Sequence, residues 1–299
     1  MYRNFTQVID HARTVQTKDL IVASPEDTSI IIAINDAFQM GLIRPVLVGD
    51  KQKILDIFME LGIHKQGYEI YNAVDKQDAA LMSVKLVSKQ PGSILMKGLV
   101  DSLTLLNEVH DEEHGLLTGD FLSHIGVIDI PAYHKLLFIS DAAFNVKPTE
   151  DEKIKIIHNT LHFVTSLGIY RPKIALVSAF ETVHDDIPST VEAKHIVEQL
   201  KDDDRFYIGG PMSIDIAVSH EAAETKGIKH VVAGDADILI FPNIEAGNTF
   251  YKSTAFFASS TPVGLILGAS NPIVLTSRSD TYKSKLYSIA LAVVSREQT

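Results

Sequence analysis

A serine and an arginine stand between a predicted buried strand and an amphipathic helix. The strand is predicted at Ile273–Leu275, and the segment Ser277-Arg278-Ser279-Asp280 follows it. Helix N-termini carry unpaired N–H groups and a partial positive charge, so they bind anions. The guanidinium of Arg278 suits the oxygens of a phosphate group. Lys283 opposes the helix dipole and therefore indicates a nearby anion. A solvated helix start is the alternative interpretation.

Further basic residues follow other predicted strands. Lys97-Gly98 comes directly after a strand at Ile94–Met96, and the glycine permits a ligand to approach the backbone closely. A surface lysine beside a turn glycine fits the same residues. Gly247-Asn248, with Lys252 nearby, can form another helix start that faces an anion, although this spacing favours a plain turn and helix cap.

Two stretches raise the question of a metal ion. His110 and His114 are four residues apart, but Asp111 stands where the H-E-x-x-H pattern has glutamate, so an exposed helix end is favoured over zinc. Asp235 and Asp237 precede a predicted strand, where aspartates commonly bond their own backbone, so a turn is favoured over Mg²⁺. We expect no metal site.

Composition excludes several kinds of chemistry. The 299 residues include no cysteine, which excludes disulfides, thiolate zinc sites and a cysteine nucleophile. A formal net charge of −11 argues against general affinity for nucleic acid or an anionic membrane. No signal peptide is visible, and the longest apolar stretches are far shorter than the ~20 residues that span a bilayer. These features predict a cytoplasmic enzyme.

The candidate residues require elements that alternate along the chain. Short strands, mostly apolar on both faces and bounded by Gly, Pro or Asp, are typical of a buried parallel sheet. Helical segments lie between them, and Thr149 and Glu152 form a capping box at one helix start. Strands are predicted at Leu20–Ala23, Pro45–Val48, Tyr68–Tyr71, Ile94–Met96, Leu136–Ile139, Ile174–Val177, Phe206–Ile208, Ile238–Phe241 and Ile273–Leu275. The alternation predicts an α/β fold with helices on both sides of a mainly parallel sheet.

Ligands of such sheets lie beyond the carboxyl ends of the strands, which is where the candidate residues fall. Nine strands are many for one sheet in a chain of this length. We therefore expect two lobes, with a boundary near Pro131–Lys135, where the strand–helix rhythm begins again.

Together and in this order, the motifs resemble the phosphate acetyltransferase and phosphate butyryltransferase family. The resemblance covers Ser93 to Arg296. The C-terminal motifs are Val232–Pro242, Glu245–Asn248, Tyr251-Lys252, Leu267–Ala269, Pro272–Arg278 and Ser288–Ala292. The motifs that resemble the butyryl branch in particular are Lys97-Gly98, Ser123-His124, Asp141–Asn145, Pro172–Glu181 and Gly210-Pro211.

The resemblance implies reversible transfer of a butyryl or branched short-chain acyl group between coenzyme A and inorganic phosphate. The CoA thioester is then a substrate, and no cofactor is held. It implies two three-layer α/β/α lobes with mainly parallel sheets and an active-site cleft between them. The lobes are expected at 1–134 plus 268–299 and at 135–267, in a homodimer or larger oligomer. Acetyl-CoA is the alternative substrate, and a non-catalytic anion-binding protein is the distant alternative.

Ser277 and Arg278 match the serine–arginine pair that serves catalysis in phosphate acetyltransferases. There an aspartate several residues later takes the proton of the CoA thiol, but this chain has Tyr282-Lys283-Ser284 in that region. Asp280 is therefore the candidate base, with helix capping as its alternative role. Arg278, with Lys283 or Lys252, would hold phosphate. The other candidates for substrate binding are Lys97, Ser123, His124, Asn145, Glu181 and Asn248, of which Asn145 would orient the acyl phosphate.

Overall fold

The computed structural model describes residues 2–119, 121–276 and 280–295. Their helices are α1 Phe5–Ala12, α2 Thr28–Gln39, α3 Lys51–Leu61, α4 Lys76–Ser88, α5 Ser102–Val109, α6 Glu150–Ser166, α7 Pro188–Leu200, α8 Ile214–Val218, α9 His220–Thr225, α10 Ile244–Phe257 and α11 Tyr282–Val294. Their strands are β1 Lys18–Ala23, β2 Ile43–Gly49, β3 Glu69–Asn72, β4 Ile94–Lys97, β5 Ser123–Asp129, β6 Leu137–Ser140, β7 Lys173–Val177, β8 Tyr207–Met212, β9 Ile238–Ile240, β10 Thr261–Leu267 and β11 Ile273–Val274. The α/β fold with a mostly parallel sheet and flanking helices is confirmed.

Each of the nine predicted strands is present, but two further strands escaped prediction. These are β5 and β10, which pair antiparallel with β6 and β11 respectively. Pro262 near the start of β10 and Gly264 within it break the apolar pattern that marks a strand. In β5, the polar pair Ser123-His124 and then Gly126 do the same. The prediction that the strand at Phe206–Ile208 ends at Ile208 was also wrong, because β8 continues to Met212.

Contacts between residues divide the chain into two compact units. The terminal unit comprises residues 5–122 and 263–299, and the central unit comprises 1–4 and 123–262. Compared with the lobes expected from the sequence, residues 1–4 and 123–134, which include β5, belong to the central unit, and residues 263–267 of β10 belong to the terminal unit. The division at 134 and 267 stays a prediction.

In the terminal unit the strand order is β3-β2-β1-β4-β11-β10. β1 is parallel to both β2 and β4, so the chain winds outward in opposite directions on the two sides of β1. In open sheets such a reversal of strand order creates a crevice where ligands bind. The last helix, α11, is buried on nearly all sides, since every residue from Ser284 to Ser295 is buried except Tyr287.

Four helices of the terminal unit begin at an aspartate. The carboxylates of Asp27, Asp50, Asp75 and Asp101 accept backbone N–H groups in the first turns of α2, α3, α4 and α5. Each carboxylate also lies beside the partial positive charge of its helix N-terminus. These caps fix where each helix begins after its strand or loop.

In the central unit the strand order is β5-β6-β9-β7-β8, with all neighbours parallel except β5 and β6. The predicted capping box is confirmed. The Thr149 hydroxyl accepts the N–H of Glu152 at 3.3 Å, and the Glu152 carboxylate accepts the N–H of Thr149 at 2.7 Å. In the described part of the chain, no helix has the length and apolar character needed to cross a membrane.

Two lysines hold the aspartates that precede β9. Asp237 is buried and accepts a bond from Lys135, while Asp235 lies 2.7 Å from the Lys135 ammonium and 2.6 Å from that of Lys173. Burial raises the pKa of Asp235, but the bonds and charges of both lysines outweigh this and hold the pKa well below its usual range. These carboxylates tie together the amino ends of β6, β7 and β9.

Candidate functional site

The carboxyl end of β6 carries a buried aspartate that organises its surroundings. Asp141 is 2 % exposed. Its Oδ1 accepts the N–H groups of Ala143 at 2.9 Å and Phe144 at 2.8 Å. Its Oδ2 accepts the N–H of His124 at 2.9 Å and the side-chain amide of Asn145 at 2.7 Å. Four N–H donors compensate the lost hydration of this buried carboxylate and fix the 141–145 loop against the start of β5.

Helix α10 adds a second support to this loop. The Asn248 amide donates to the carbonyl oxygen of Ala142 at 2.8 Å. Gly247 lies so close that an added Cβ would be 2.3 Å from the Asp141 carbonyl oxygen, so no larger residue fits there. The helix itself begins earlier, with Asn243 as its cap. Gly247 and Asn248 thus lie inside the helix, which corrects their interpretation as a turn or helix start.

His124 is a buried imidazole beside Asp141. It is 3 % exposed, and its ring stands at 83° to that of Tyr251 with centroids 6.1 Å apart. Its Nδ1 is buried without a hydrogen-bond partner among the described residues. Burial lowers the pKa of His124, and the nearby charge of Asp141 opposes this only in part. The ring is therefore neutral near pH 7 and can donate from one nitrogen while accepting at the other.

Ser123 completes this group. Its hydroxyl accepts the Asn159 amide at 3.1 Å, and the hydroxyl of Ser140 donates to the carbonyl of His124 at 2.7 Å. We call Asp141, Ser123, His124, Asn145 and Asn248 the Asp141 cluster. It brings together four residues that the sequence proposed as substrate-binding. Lys252 lies one turn beyond Asn248 on the same side of α10, and it is exposed.

Asp141 itself was missing from the predicted candidates. It belongs to the Asp141–Asn145 motif, and it lies two residues after the predicted strand Leu136–Ile139, which was the available signal. The sequence does not show how many N–H groups this carboxylate accepts, because one of the donors, His124, lies 17 residues earlier in the chain.

Glu181 belongs to a different group of residues. It accepts bonds from the Ser213 hydroxyl and from the Lys226 ammonium at 2.9 Å, and Lys226 also pairs with Asp215 at 3.1 Å. The bonds from Ser213 and Lys226 lower the pKa of Glu181. Its contacts are with this group and not with the Asp141 cluster.

Lys97 is the last residue of β4 in the terminal unit. It is 5 % exposed, so it is not the surface lysine of the alternative interpretation. Its ammonium donates to the carbonyls of Gly98 and Val100, each at 3.2 Å. A Cβ on Gly98 would lie 2.0 Å from the carbonyl oxygen of Ser24. Glycine is thus required here because the backbone of Ser24 lies so close. From the sequence alone, the same glycine was explained by the close approach of a ligand.

The start of α11 clarifies the role of Asp280. Thr281 caps the helix, since its hydroxyl accepts the N–H of Ser284 at 3.1 Å, so the alternative that Asp280 caps it is wrong. The buried ammonium of Lys285 donates to the Asp280 carbonyl at 2.5 Å. Lys283 is exposed. Ser277 and Arg278 lie outside the described residues.

No group of three or more metal-ligating side chains occurs in the ranges that the structure describes. His110 and His114 do not share a helix face, because α5 ends at Val109. His114 instead contacts Glu108 at 3.0 Å and Asp111 at 2.7 Å. Asp235 and Asp237 are paired with lysines, as described above.

Comparisons with known proteins agree across nearly the whole chain. The family described as "Phosphate acetyl/butaryl transferase" matches residues 73–293. A phosphate butyryltransferase of Clostridium beijerinckii is 39 % identical over 297 residues, which are 98 % of each chain. A phosphate acetyltransferase of Thermotoga maritima is 36 % identical over 93 % of this chain and 95 % of its own. The crystal structure of a branched-chain phosphotransacylase from Enterococcus faecalis V583 superposes with a TM-score of 0.85 at 31 % identity, over 93 % of this chain and 99 % of that one.

Proposed function

Because the chain belongs to the phosphate acetyltransferase and butyryltransferase family, we propose that it is a phosphate butyryltransferase. In the proposed reaction, butanoyl-CoA and inorganic phosphate give butanoyl phosphate and CoA, reversibly. The observation that carries the butyryl assignment is the 39 % identity over 98 % of both chains to a phosphate butyryltransferase. Similarity to a branched-chain phosphotransacylase supports extension to branched acyl groups. Acetyl-CoA remains the second candidate substrate, since a phosphate acetyltransferase is 36 % identical.

The chemistry is a direct transfer between two bound substrates. A phosphate oxygen forms a bond to the thioester carbonyl carbon, and the C–S bond breaks to release the thiolate of CoA. A chain without cysteine fits a route that needs no acyl-enzyme thioester. The protein contributes mainly by holding phosphate and thioester at reacting distance and by stabilising charge on the carbonyl oxygen.

Charged residues around the phosphate have proposed roles. Arg278 holds the phosphate together with Lys283 or Lys252, both of which are exposed to an incoming ligand. The Ser277 hydroxyl donates to the carbonyl oxygen as charge develops, a contribution of about 3 kcal/mol by analogy with known oxyanion donors. Asp280 is the proposed base for the thiol of CoA in the reverse direction.

The Asp141 cluster supplies polar groups of fixed orientation. The bond to Asp141 Oδ2 sets the amide plane of Asn145, which we propose to orient the acyl phosphate. His124 is neutral, so it can donate a hydrogen bond to an oxygen of the substrate without needing a second buried charge. Ser123, Asn248 and, in the terminal unit, Lys97 are proposed as further substrate-binding residues. Glu181 is kept as a proposed substrate contact despite its bonds to Ser213 and Lys226.

Phosphate-dependent release of free thiol tests the proposal. The purified chain is incubated with butanoyl-CoA or acetyl-CoA, with and without phosphate, and the thiol is followed with a thiol reagent. Because the protein contains no cysteine, it gives no background in this assay. We expect phosphate-dependent release that is faster with butanoyl-CoA. Faster release from acetyl-CoA would overturn the butyryl assignment, and no release from either thioester by folded protein would overturn the function.

Selectivity among acyl chains should be graded. Each buried methylene group is worth about 0.8 kcal/mol, so acetyl and butyryl groups differ by an amount that leaves turnover of both thioesters measurable.

We also propose a homodimer, which size-exclusion chromatography with light scattering tests directly.

A further inference from the structure

The first turns of α11 contain a lysine that is almost completely buried. Lys285 is 2 % exposed, so its side chain is as enclosed as that of a core residue such as Phe5. Its ammonium donates a hydrogen bond to the carbonyl oxygen of Asp280 at 2.5 Å. Because helical side chains lean toward the helix N-terminus, this bond places the positive charge at the start of α11. Thr281 and Tyr282, which form that start, are exposed, so a small anion can reach it from solvent.

No carboxylate of the described residues compensates this charge. Lys285 makes no ion pair within those ranges, and this holds for the carboxylate of Asp280 as well. An ammonium group has three N–H donors, and a single backbone carbonyl satisfies one of them. Burial of an ammonium group without an opposite charge is strongly unfavourable. A bound anion would supply both the negative charge and the missing acceptors.

Two other buried lysines show how this fold compensates such a charge. Lys135 is 6 % exposed and pairs with Asp237. Lys153 is 4 % exposed and pairs with Glu192. In both cases a carboxylate of the chain itself neutralises the ammonium group. Lys285 is buried at least as deeply, but its partner in the described part of the chain is a neutral carbonyl oxygen, which indicates a role beyond support of the fold.

A second buried lysine lies at the same edge of the terminal unit's sheet. β4 and β11 are parallel neighbours with Met96 opposite Val274, so both strands end at this edge. Lys97 is the buried last residue of β4, and α11 follows β11. The start of α11 adds a partial positive charge, and its first turn carries no acidic residue, whereas α2, α3, α4 and α5 begin at aspartates. Ligands of open α/β sheets bind beyond this edge, so the ligand expected here is an anion.

We propose that Lys285 is a substrate-binding residue whose ammonium holds the phosphate group that is transferred. The inference rests on the proposed function and adds to it a cation that is shielded from water, whereas Lys283 and Lys252 are exposed. Water and salt screen Coulomb attraction less at a buried site, so Lys285 attracts a phosphate dianion more strongly than an exposed lysine does. The phosphate oxygens in turn provide the acceptors and the negative charge that Lys285 needs.

Phosphate-dependent stability measures this binding without turnover. A ligand that binds the folded state raises the urea midpoint, so the midpoint of the purified chain is measured with and without phosphate. Lys285→Met removes the charge and keeps a side chain of similar length. In phosphate-free buffer we expect this variant to match or exceed the wild-type midpoint, because an uncompensated buried charge is gone. Added phosphate should raise the wild-type midpoint but not that of the variant.

Lys153→Met is the matched control, since it makes the same substitution at a buried lysine that a carboxylate neutralises. It should show the opposite pattern, with a lower midpoint in phosphate-free buffer because Glu192 loses its cation, and with an intact response to phosphate. An intact phosphate response in Lys285→Met would overturn the inference. Lys285→Gln is measured alongside, and unfolding of both Lys285 variants in phosphate-free buffer would show that the ammonium only supports the fold.

The thiol assay then tests which phosphate Lys285 holds. We expect Lys285→Met to raise KM for phosphate about 10- to 100-fold, the loss of one charge-assisted hydrogen bond, and to leave KM for butanoyl-CoA within about twofold. A rise confined to KM for butanoyl-CoA would assign Lys285 to a phosphate of CoA and overturn the inference. An unchanged KM for phosphate in an active variant removes the inference and leaves the proposed function intact. A phosphate response that depends on Lys285 in a chain without turnover removes the proposed function and keeps the phosphate site.

Discussion

Replacing Asp141 with asparagine tests whether this carboxylate organises the site. The substitution keeps the shape of the side chain but turns one acceptor oxygen into an amide donor. Whichever oxygen is replaced, two of the four N–H groups lose their acceptor and face another donor. A hydrogen bond to a charged group is worth about 1.5–3 kcal/mol, so the expected loss is about 3–6 kcal/mol of unfolding free energy. The effect is large, because the whole unfolding free energy of a native protein is only about 5–15 kcal/mol.

Urea unfolding followed by circular dichroism measures this loss, and the thiol assay measures activity on the fraction that remains folded. We expect kcat to fall by more than tenfold, since the substitution removes the acceptor either of the Asn145 amide or of the Ala143 and Phe144 N–H groups that hold the 141–145 loop. Asp101→Asn is the matched control, because asparagine caps helices about as well as aspartate and should change stability by only a few tenths of a kcal/mol. An Asp141→Asn variant with the stability and turnover of the control would refute the assigned role of Asp141.

Three further predictions concern other parts of the molecule. Arg278→Ala should lower turnover by well over tenfold in the thiol assay without changing the urea midpoint, and a near-normal rate would contradict its role in phosphate binding. Burial lowers the pKa of His124 below the ordinary 6.5, so the folded state favours the neutral ring; the stability this gives is present above pH 6.5 and is lost as pH falls toward the lowered pKa. His124→Gln should therefore reduce the drop in urea midpoint between pH 7.5 and about 5.5, and an unchanged drop would count against a buried neutral ring. Lys135→Met should cost about 3–5 kcal/mol of unfolding free energy by leaving Asp237 buried without its cation, with kcat retained in folded protein; a cost below about 1 kcal/mol would contradict this.

The sequence predicted those strands whose own residues show a clear apolar pattern. Ile94–Met96 and Ile174–Val177 are apolar on both faces and bounded by turn residues, so period and composition suffice. β5 and β10 were missed because their pairing is decided by neighbours distant in sequence. Gly126 illustrates this, since a Cβ there would come within 3.0 Å of the Tyr251 ring, a contact that no local pattern reveals.

The same distinction applies to the candidate site. Ser123, His124, Asn145 and Asn248 were identified by family resemblance. The structure shows His124 and Asn145 bonded to Asp141 and Asn248 bonded to Ala142, through bonds that span 4 to 106 residues of sequence. For Lys97 the sequence left a surface position open as an alternative, but the side chain is buried. Burial of a charged side chain depends on packing from several elements, so sequence position alone does not give it.

The aspartate caps of α2, α3, α4 and α5 have a consequence for how fast an anionic substrate arrives. Each cap places a carboxylate at the positive end of a helix dipole, so the four dipoles contribute little long-range potential. With a formal net charge of −11, the chain as a whole repels polyanions such as acyl-CoA. We therefore expect substrate association to run below the electrostatically steered limit and to accelerate, rather than slow, as added salt screens the repulsion. Capture of the substrate then depends on short-range contacts made after encounter.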